Sequence, residues 1–186
     1  MNQRVDVERA KRGDHDAFAA LVDARLARLD AAARLILRDG ELARDAVQEA
    51  LIRAWRDLPG LRDPDKFDAW LHRLIVNACL DLLRRRKRRP IEVELTAIDT
   101  PAASDISARL AVQEQIDDAL SGLDPNHRAV VALYYLLDMP LAEVAASLGI
   151  PLGTAKSRLH RSILAMRATI GADEPVAYQV PGGQLA

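Results

Sequence analysis

Only one cysteine, Cys79, occurs in 186 residues, so the chain can form no internal disulfide and no cysteine-based metal cluster. Aromatic residues supply just 4% of the sequence. With Ala, Leu and Arg abundant instead, the composition favours helix-on-helix packing over a β-sandwich, and an all-α protein is expected. Long apolar runs are also missing. The longest, Ala129 to Leu137, spans nine residues before Asp138 stops it, far short of the ~20 a membrane-spanning helix needs. The opening Met1-Asn2-Gln3-Arg4-Val5-Asp6 has no apolar core that could serve as a signal peptide. A soluble, cytoplasmic protein without membrane insertion is the expectation. The four histidines form no metal-ligand spacing, and no nucleophile-base pairing or phosphate-binding Gly loop is visible. No metal, cofactor or enzymatic activity is therefore expected. What is present is globular in character, with 49% hydrophobic and 28% charged residues.

The net charge of −1 conceals a strong segregation. From Trp70 to Arg89, seven basic residues (Arg73, Arg84, Arg85, Arg86, Lys87, Arg88 and Arg89) face one acid, Asp81. From Ile91 to Asp118 the sign reverses, with seven acids against Arg109 alone. Pro151 to Arg167 then carries Lys156, Arg158, Arg161 and Arg167 with no acid. Two basic surfaces flanking an acidic spacer point to polyanion binding at two patches, because Lys and Arg release condensed counterions from phosphates. The plainer reading of each run, a solvated helix face, is weakest for the consecutive cations Arg84 to Arg89, which repel one another unless neutralised.

Hydrophobic periodicity organises the chain into helices. Asp14 is suited to cap a helix whose apolar stripe is Phe18, Leu21, Val22, Leu26, Leu29, Ala33, Ile36 and Leu37, with Asp39-Gly40 as its stop. A second helix is expected from about Glu41 to Leu58, with Val47, Ala50, Leu51, Ala54, Trp55 and Leu58 turned inward and Pro59-Gly60 ending it. Leu61 to Lys66 reads as a loop, and Phe67, Trp70, Leu71, Leu74, Ile75, Ala78 and Leu82 mark a third helix that runs into the basic segment. Residues 1–90 thus form one helical domain, 91–108 an acidic flexible linker, 109–170 a second domain and 171–186 a mobile tail. In the second domain, Leu123-Asp124-Pro125 offers an Asp cap with Pro at the first helical position of a helix reaching Leu137. Two further helices follow, Leu141 to Leu148 and Leu152 to Ile170.

That last pair has the spacing of a DNA-binding helix-turn-helix. Ala145 is small where the helices cross, Gly149 suits the left-handed turn, and Val144, Leu148, Ile150, Ala155, Leu159 and Ile163 form the inner faces. The outer face, Thr154, Lys156, Ser157, Arg158, His160 and Arg161, fits a major groove. A plain αα-hairpin is the alternative, and the absence of acids from the second helix argues against it.

Gly122 to Arg167, with Leu-Asp-Pro-Asn-His-Arg before the hairpin and Gly-Thr-Ala-Lys-Ser-Arg-Leu-His-Arg in its second helix, resembles region 4 of bacterial RNA polymerase sigma factors. Asp45 to Trp55 is similar to sigma region 2.2, and Phe67 to Asn77 followed by Asp81-Leu82-Leu83-Arg84-Arg85 to regions 2.3 and 2.4. With nothing resembling region 1.1 or a folded region 3, the resemblance points to the extracytoplasmic-function (ECF, group IV) subfamily of the sigma-70 family. It implies two small helical domains on a flexible linker that direct promoter-specific initiation. The implied partners are core RNA polymerase, through the clamp helices of its largest subunit and its flap region, promoter DNA, and an anti-sigma factor.

By position, the resemblance assigns Asp45, Gln48, Glu49, Ile52 and Arg53 to the clamp helices. It makes Leu58 to Lys66 the loop that accepts a flipped base of the minus-ten element. Asn77 becomes a promoter-reading residue, and Arg62, Lys66, Arg73, Arg84, Arg85 and Arg86 become phosphate contacts. Trp70 and Phe67 lie where the family meets melting DNA, but with Leu71 and Leu74 they also fall at core spacing. Cys79, between Ala78 and Leu80, reads as a buried small residue. The chain departs from the family pattern at Leu51 (commonly aromatic), His72 (commonly Tyr) and Asp124 (commonly Pro). Two functions compete: a duplex-binding repressor or activator, which has no need of the Asp45 to Trp55 surface, and a nucleic-acid-sequestering protein, for which the Arg84 to Arg89 run suffices and which sequence-selective binding through Lys156 and Arg161 would exclude.

Overall fold

The computed structural model describes residues 3–88 and 115–171. The linker assigned to 91–108 and the tail beyond Gly171 lie outside them. Among the described residues every regular element is helical. The first unit contains α1 (Gln3–Lys11), α2 (His15–Asp23), α3 (Leu26–Leu37), α4 (Gly40–Asp57) and α5 (Phe67–Arg88), with 3-10 turns at Leu58–Gly60 and Pro64–Lys66. The second contains α6, helical over 115–121, then α7 (Pro125–Val131), a π turn (Ala132–Leu136), α8 (Leu141–Leu148) and α9 (Leu152–Ile170).

Aspartate caps set three of the helix starts. Asp14 accepts a hydrogen bond from the Ala17 amide at 3.0 Å and starts α2. Asp39 accepts from the Glu41 and Leu42 amides and starts α4. Asp124 accepts from Asn126 and His127, with Pro125 at the first helical position of α7.

Four expectations need correction. The single helix read from Asp14 to Leu37 is two, broken at Ala24-Arg25. There Arg25 donates to the Leu21 carbonyl and to Asp68, a residue 43 positions away, and so turns the chain. The stop placed at Asp39-Gly40 is Arg38, which takes the left-handed conformation at φ 53°; Gly40 opens α4. The helix read to Leu137 is α-helical only to Val131 and then widens into the π turn, whose Leu136 carbonyl is held by Arg28 of the other unit. Finally, α1 lies outside the periodic pattern, because its apolar residues are only Val5, Val7 and Ala10, of which Val7 and Ala10 are buried.

In the first unit α3, α4 and α5 pack mutually around Leu29, Ile36, Phe67, Leu71 and Ile75, each fully buried. Ala43, Ala46, Ala50 and Ala54 form a ridge of small residues along α4 that lets it lie close to its neighbours. In the second unit α7 and α8 pack on α9. Gly149, at φ 63°, makes the turn of the hairpin, and Val144, Ala145, Ala155 and Leu159 are buried between its helices.

The two units share one continuous apolar core. The π turn and α7 lie on α3, and α8 lies on α5. Arg128 crosses this seam with only 8% of its surface exposed, donating to the Ile36 carbonyl at 2.9 Å and to Leu123. Arg38 reaches the Asp117 carbonyl at 2.7 Å, and Arg28 pairs with Asp138. Arg128 and Arg28 satisfy carbonyls left open at the end of α3 and of the π turn.

Candidate nucleic-acid and protein interfaces

The outward face of α4 follows from its periodicity. With the alanine ridge inward, Asp45, Gln48, Glu49, Ile52 and Arg53 all line one shallow depression together with Arg56. Ile52 is 61% exposed, an unusual position for a β-branched apolar side chain. Gln48 and Ile52 also border an open groove of about 980 Å³ between α4 and the α2–α3 corner, lined by His15, Phe18, Leu26, Val47, Leu51 and Trp55. The His15 ring stacks on Trp55 at 4.3 Å, and Phe18 meets the same indole edge-on at 5.1 Å. Sequence periodicity placed Phe18, Leu26 and Trp55 in the core. Leu26 and Trp55 sit instead on the wall of this groove, and Phe18, which packs on the core, borders it too.

On α5 the successive 100° steps put Trp70, Arg73, Asn77 and Arg84 within about 60° of arc, continuing from Lys66. The opposite side carries Phe67, Leu71, Ile75, Ala78 and Cys79, all buried. Phe67 is therefore core, while Trp70 is half-buried and leans on it with ring centroids 5.9 Å apart. Arg62 is exposed in the preceding loop. Arg85 and Arg86 turn off the stripe: Arg85 lies 3.6 Å from Glu49 and Arg86 3.3 Å from Asp39. Arg53 pairs with Glu49 and lies 3.7 Å from Asp81, which also accepts from Arg84 at 2.7 Å. A chain of alternating charges thus connects the α4 depression to the edge of the α5 stripe.

The exposed face of α9 presents Lys156, His160 and Arg161, with Thr154, Ser157 and Arg158 half-buried beside them. Ser157 donates its hydroxyl to the Thr154 carbonyl at 3.0 Å, which leaves its oxygen able to act as an acceptor. Among the described residues α9 carries no acid at either end.

Two titratable groups lie behind these faces. His72 is 8% exposed, its Nδ1 has no hydrogen-bond partner, and burial drives its pKa down to about 4. Cys79 is buried in the same helix, and burial pushes its thiol up to about 12. Among the described residues no helix is long and apolar enough to cross a membrane, and no group of three or more His, Cys, Asp or Glu could hold a metal ion.

Comparison with known proteins accounts for both units. The family model for Sigma-70 region 2 matches residues 21–89, and that for Sigma-70 region 4 matches residues 113–166. The chain is similar to the ECF RNA polymerase sigma factor SigW of Bacillus subtilis, 30% identical over 175 residues that cover 87% of this chain and 92% of the relative. It is also similar to the ECF RNA polymerase sigma factor SigM of Mycobacterium tuberculosis, 34% identical over 159 residues covering 86% and 80%. Among solved structures, CnrH in complex with the cytosolic domain of CnrY is 27% identical with a TM-score of 0.67, covering 92% of this chain and 99% of that one. The sigma factor RpoE in complex with the anti-sigma factor NepR from Bartonella quintana has the same fold, at 24% identity and a TM-score of 0.73, covering 84% and 98%. The chain belongs to the ECF subfamily of sigma-70 RNA polymerase sigma factors, proteins that bind RNA polymerase and direct transcription initiation at promoters.

Proposed function

We propose that residues 1–90 bind the clamp helices of core RNA polymerase and read the minus-ten element, while residues 109–170 read the minus-thirty-five element. The observation that carries this reading is the adjacency of two unlike surfaces in the first unit. The α4 depression and its apolar groove suit a protein helix, which would cover Ile52, Leu51 and Trp55. Beside it, joined through Glu49, Arg53 and Asp81, the α5 stripe suits a nucleic-acid strand.

On that stripe Arg62, Lys66, Arg73 and Arg84 hold phosphates, Asn77 offers both a donor and an acceptor to a base edge, and Trp70 gives a ring for stacking. Arg85 and Arg86 join them when nucleic acid replaces Glu49 and Asp39 as their counter-charge. Strand opening needs no catalytic residue: capture of unpaired bases by the 58–66 loop biases the duplex toward the open form. In α9, Thr154, Lys156 and Ser157 enter the major groove first, with Arg158, His160 and Arg161 on base edges and phosphates. Tyr135, Leu164 and Ile170 are apolar groups left exposed in this unit, and they fit the flap region of polymerase. An anti-sigma factor is the expected inhibitor, covering the α4 groove in place of the clamp helices.

The test is assembly with sigma-free core polymerase followed by initiation on a library of host DNA fragments. Co-migration with initiation at a shared motif is the expected result. The triple substitution Gln48→Ala, Ile52→Ala and Arg53→Ala should abolish co-migration yet leave weak duplex binding by α9 intact. Duplex binding without any polymerase complex would favour a repressor or activator instead.

A further inference from the structure

We propose that α1 and the Arg25 guanidinium form the footing of the 58–66 loop, making Arg25 a positioning residue for minus-ten capture. This rests on the reading of that loop given above. The tip of the loop has little packing of its own, since Arg62, Asp63, Asp65 and Lys66 are exposed. Its placement is set by its buried anchors, Leu58 and Pro64, and by what lies under them. What lies under them is α1, which packs against both 3-10 turns through a face containing the buried Val7 and Ala10. Arg4 of α1 also reaches Asp65 at 3.2 Å, though both are exposed and the pair is weak.

Arg25 ties this footing to the exit of the loop. Its Nη2 donates to Gln3 Oε1 of α1 at 2.8 Å, its Nη1 to the Leu21 carbonyl at 2.7 Å, and its Nε to Asp68 Oδ1 at 2.5 Å. The same guanidinium stands 5.3 Å from the centroid of Phe67, the first residue of α5. One planar fork therefore fixes α1, α2 and the first turn of α5 at once, and that first turn follows the loop directly. Lysine has the charge but not the fork. Gln3 and most of α2 precede residue 21, where the match to the region 2 model begins. A base pocket on the loop must be held to a fraction of an ångström, and small misplacements in oriented sites cost up to about 100-fold.

The experiment uses the full chain assembled with core polymerase and two single-stranded oligonucleotides. One carries the minus-ten sequence obtained by the initiation selection; the other carries a substitution at the flipped base. Asp68→Asn should keep core-polymerase affinity within about twofold while the ratio of the two oligonucleotide affinities falls about tenfold; Arg25→Ala should lower that ratio by more than it lowers polymerase affinity, and Arg25→Lys should recover only part of the ratio. Unchanged ratios in folded Arg25→Ala and Asp68→Asn proteins overturn the proposal, as does an equal loss for both oligonucleotides and for polymerase, which indicates a merely structural role. Should Arg25→Ala fail to fold, Asp68→Asn, on a half-exposed residue, decides by itself. Wild-type protein that does not discriminate between the oligonucleotides removes the reading of the loop and this proposal together.

Discussion

His72 illustrates how a single side chain couples burial to pH. Burial, aided by the Arg28 and Arg25 guanidiniums from the α2–α3 side, outweighs the carboxylates of Asp68 on its own helix and Asp138 beyond the π turn and lowers its pKa to about 4. The unfolded imidazole titrates near 6.5, so between pH 6.5 and 4 the unfolded chain binds a proton that the native fold excludes. Native stability must fall as pH drops through this window, by about 2 kcal/mol at pH 5. His72→Phe removes this term, and the gap in melting temperature between about pH 7 and pH 5 should narrow relative to wild type; equal gaps would show that His72 is protonated in the native state. Cys79 makes the complementary case, because its buried thiol stays neutral. Iodoacetamide should leave it unlabelled in native protein and label it fully in denaturant, whereas native labelling at the rate of a free thiol would contradict the burial. Cys79 was legible from its flanking apolar residues. The burial of His72 was not, since helical periodicity alone does not say that a second unit covers its side of α5.

At the scale of elements, sequence was most informative where local chemistry sets the boundary. Asp14, Asp124 and Gly149 act where their side chains or conformations require, independent of any distant contact. Asp124→Ala should cost about 1 kcal/mol. Gly149→Ala meets no atom within 4 Å, so its cost, roughly 1–2 kcal/mol, is that of a side chain at φ 63° alone. Thermal melting measures both, and each should weaken binding to a minus-thirty-five duplex only through the loss of folded region 4. Where distant contacts decide, periodicity failed: the α2–α3 break depends on Arg25 reaching Asp68, and the π turn is held by Arg28 from 108 residues away. The same limit applies to the candidate site. The five α4 residues share a depression because i, i+3, i+4 spacing guarantees one face. The apolar groove beside them is completed by residues of α2 and α3, which no pattern in α4 could reveal.

For the whole molecule, packing and promoter geometry make opposite demands. A compact chain of this length has a radius of gyration of about 16 Å and is about 40 Å across. Minus-ten and minus-thirty-five elements lie about 25 base pairs apart, which is ~85 Å along straight duplex at 3.4 Å per base pair. On the proposed reading of both elements, the seam between α3 or α5 and the region 4 unit must open when the two are read at once, and its shared apolar core and three arginines oppose that opening. Arg28 and Arg38 are suited to a test because they act mainly across the seam and lie away from α9 and the α5 stripe. The double substitution Arg28→Ala and Arg38→Ala should loosen the closed form, raising the radius of gyration measured by small-angle X-ray scattering. Since a binding-competent state that is only partly populated lowers apparent affinity by its fraction, the same variant should bind core polymerase and promoter more tightly than wild type. A larger radius with unchanged affinity would mean that polymerase engages the closed form as readily as the open one, and that the seam does not compete with promoter binding.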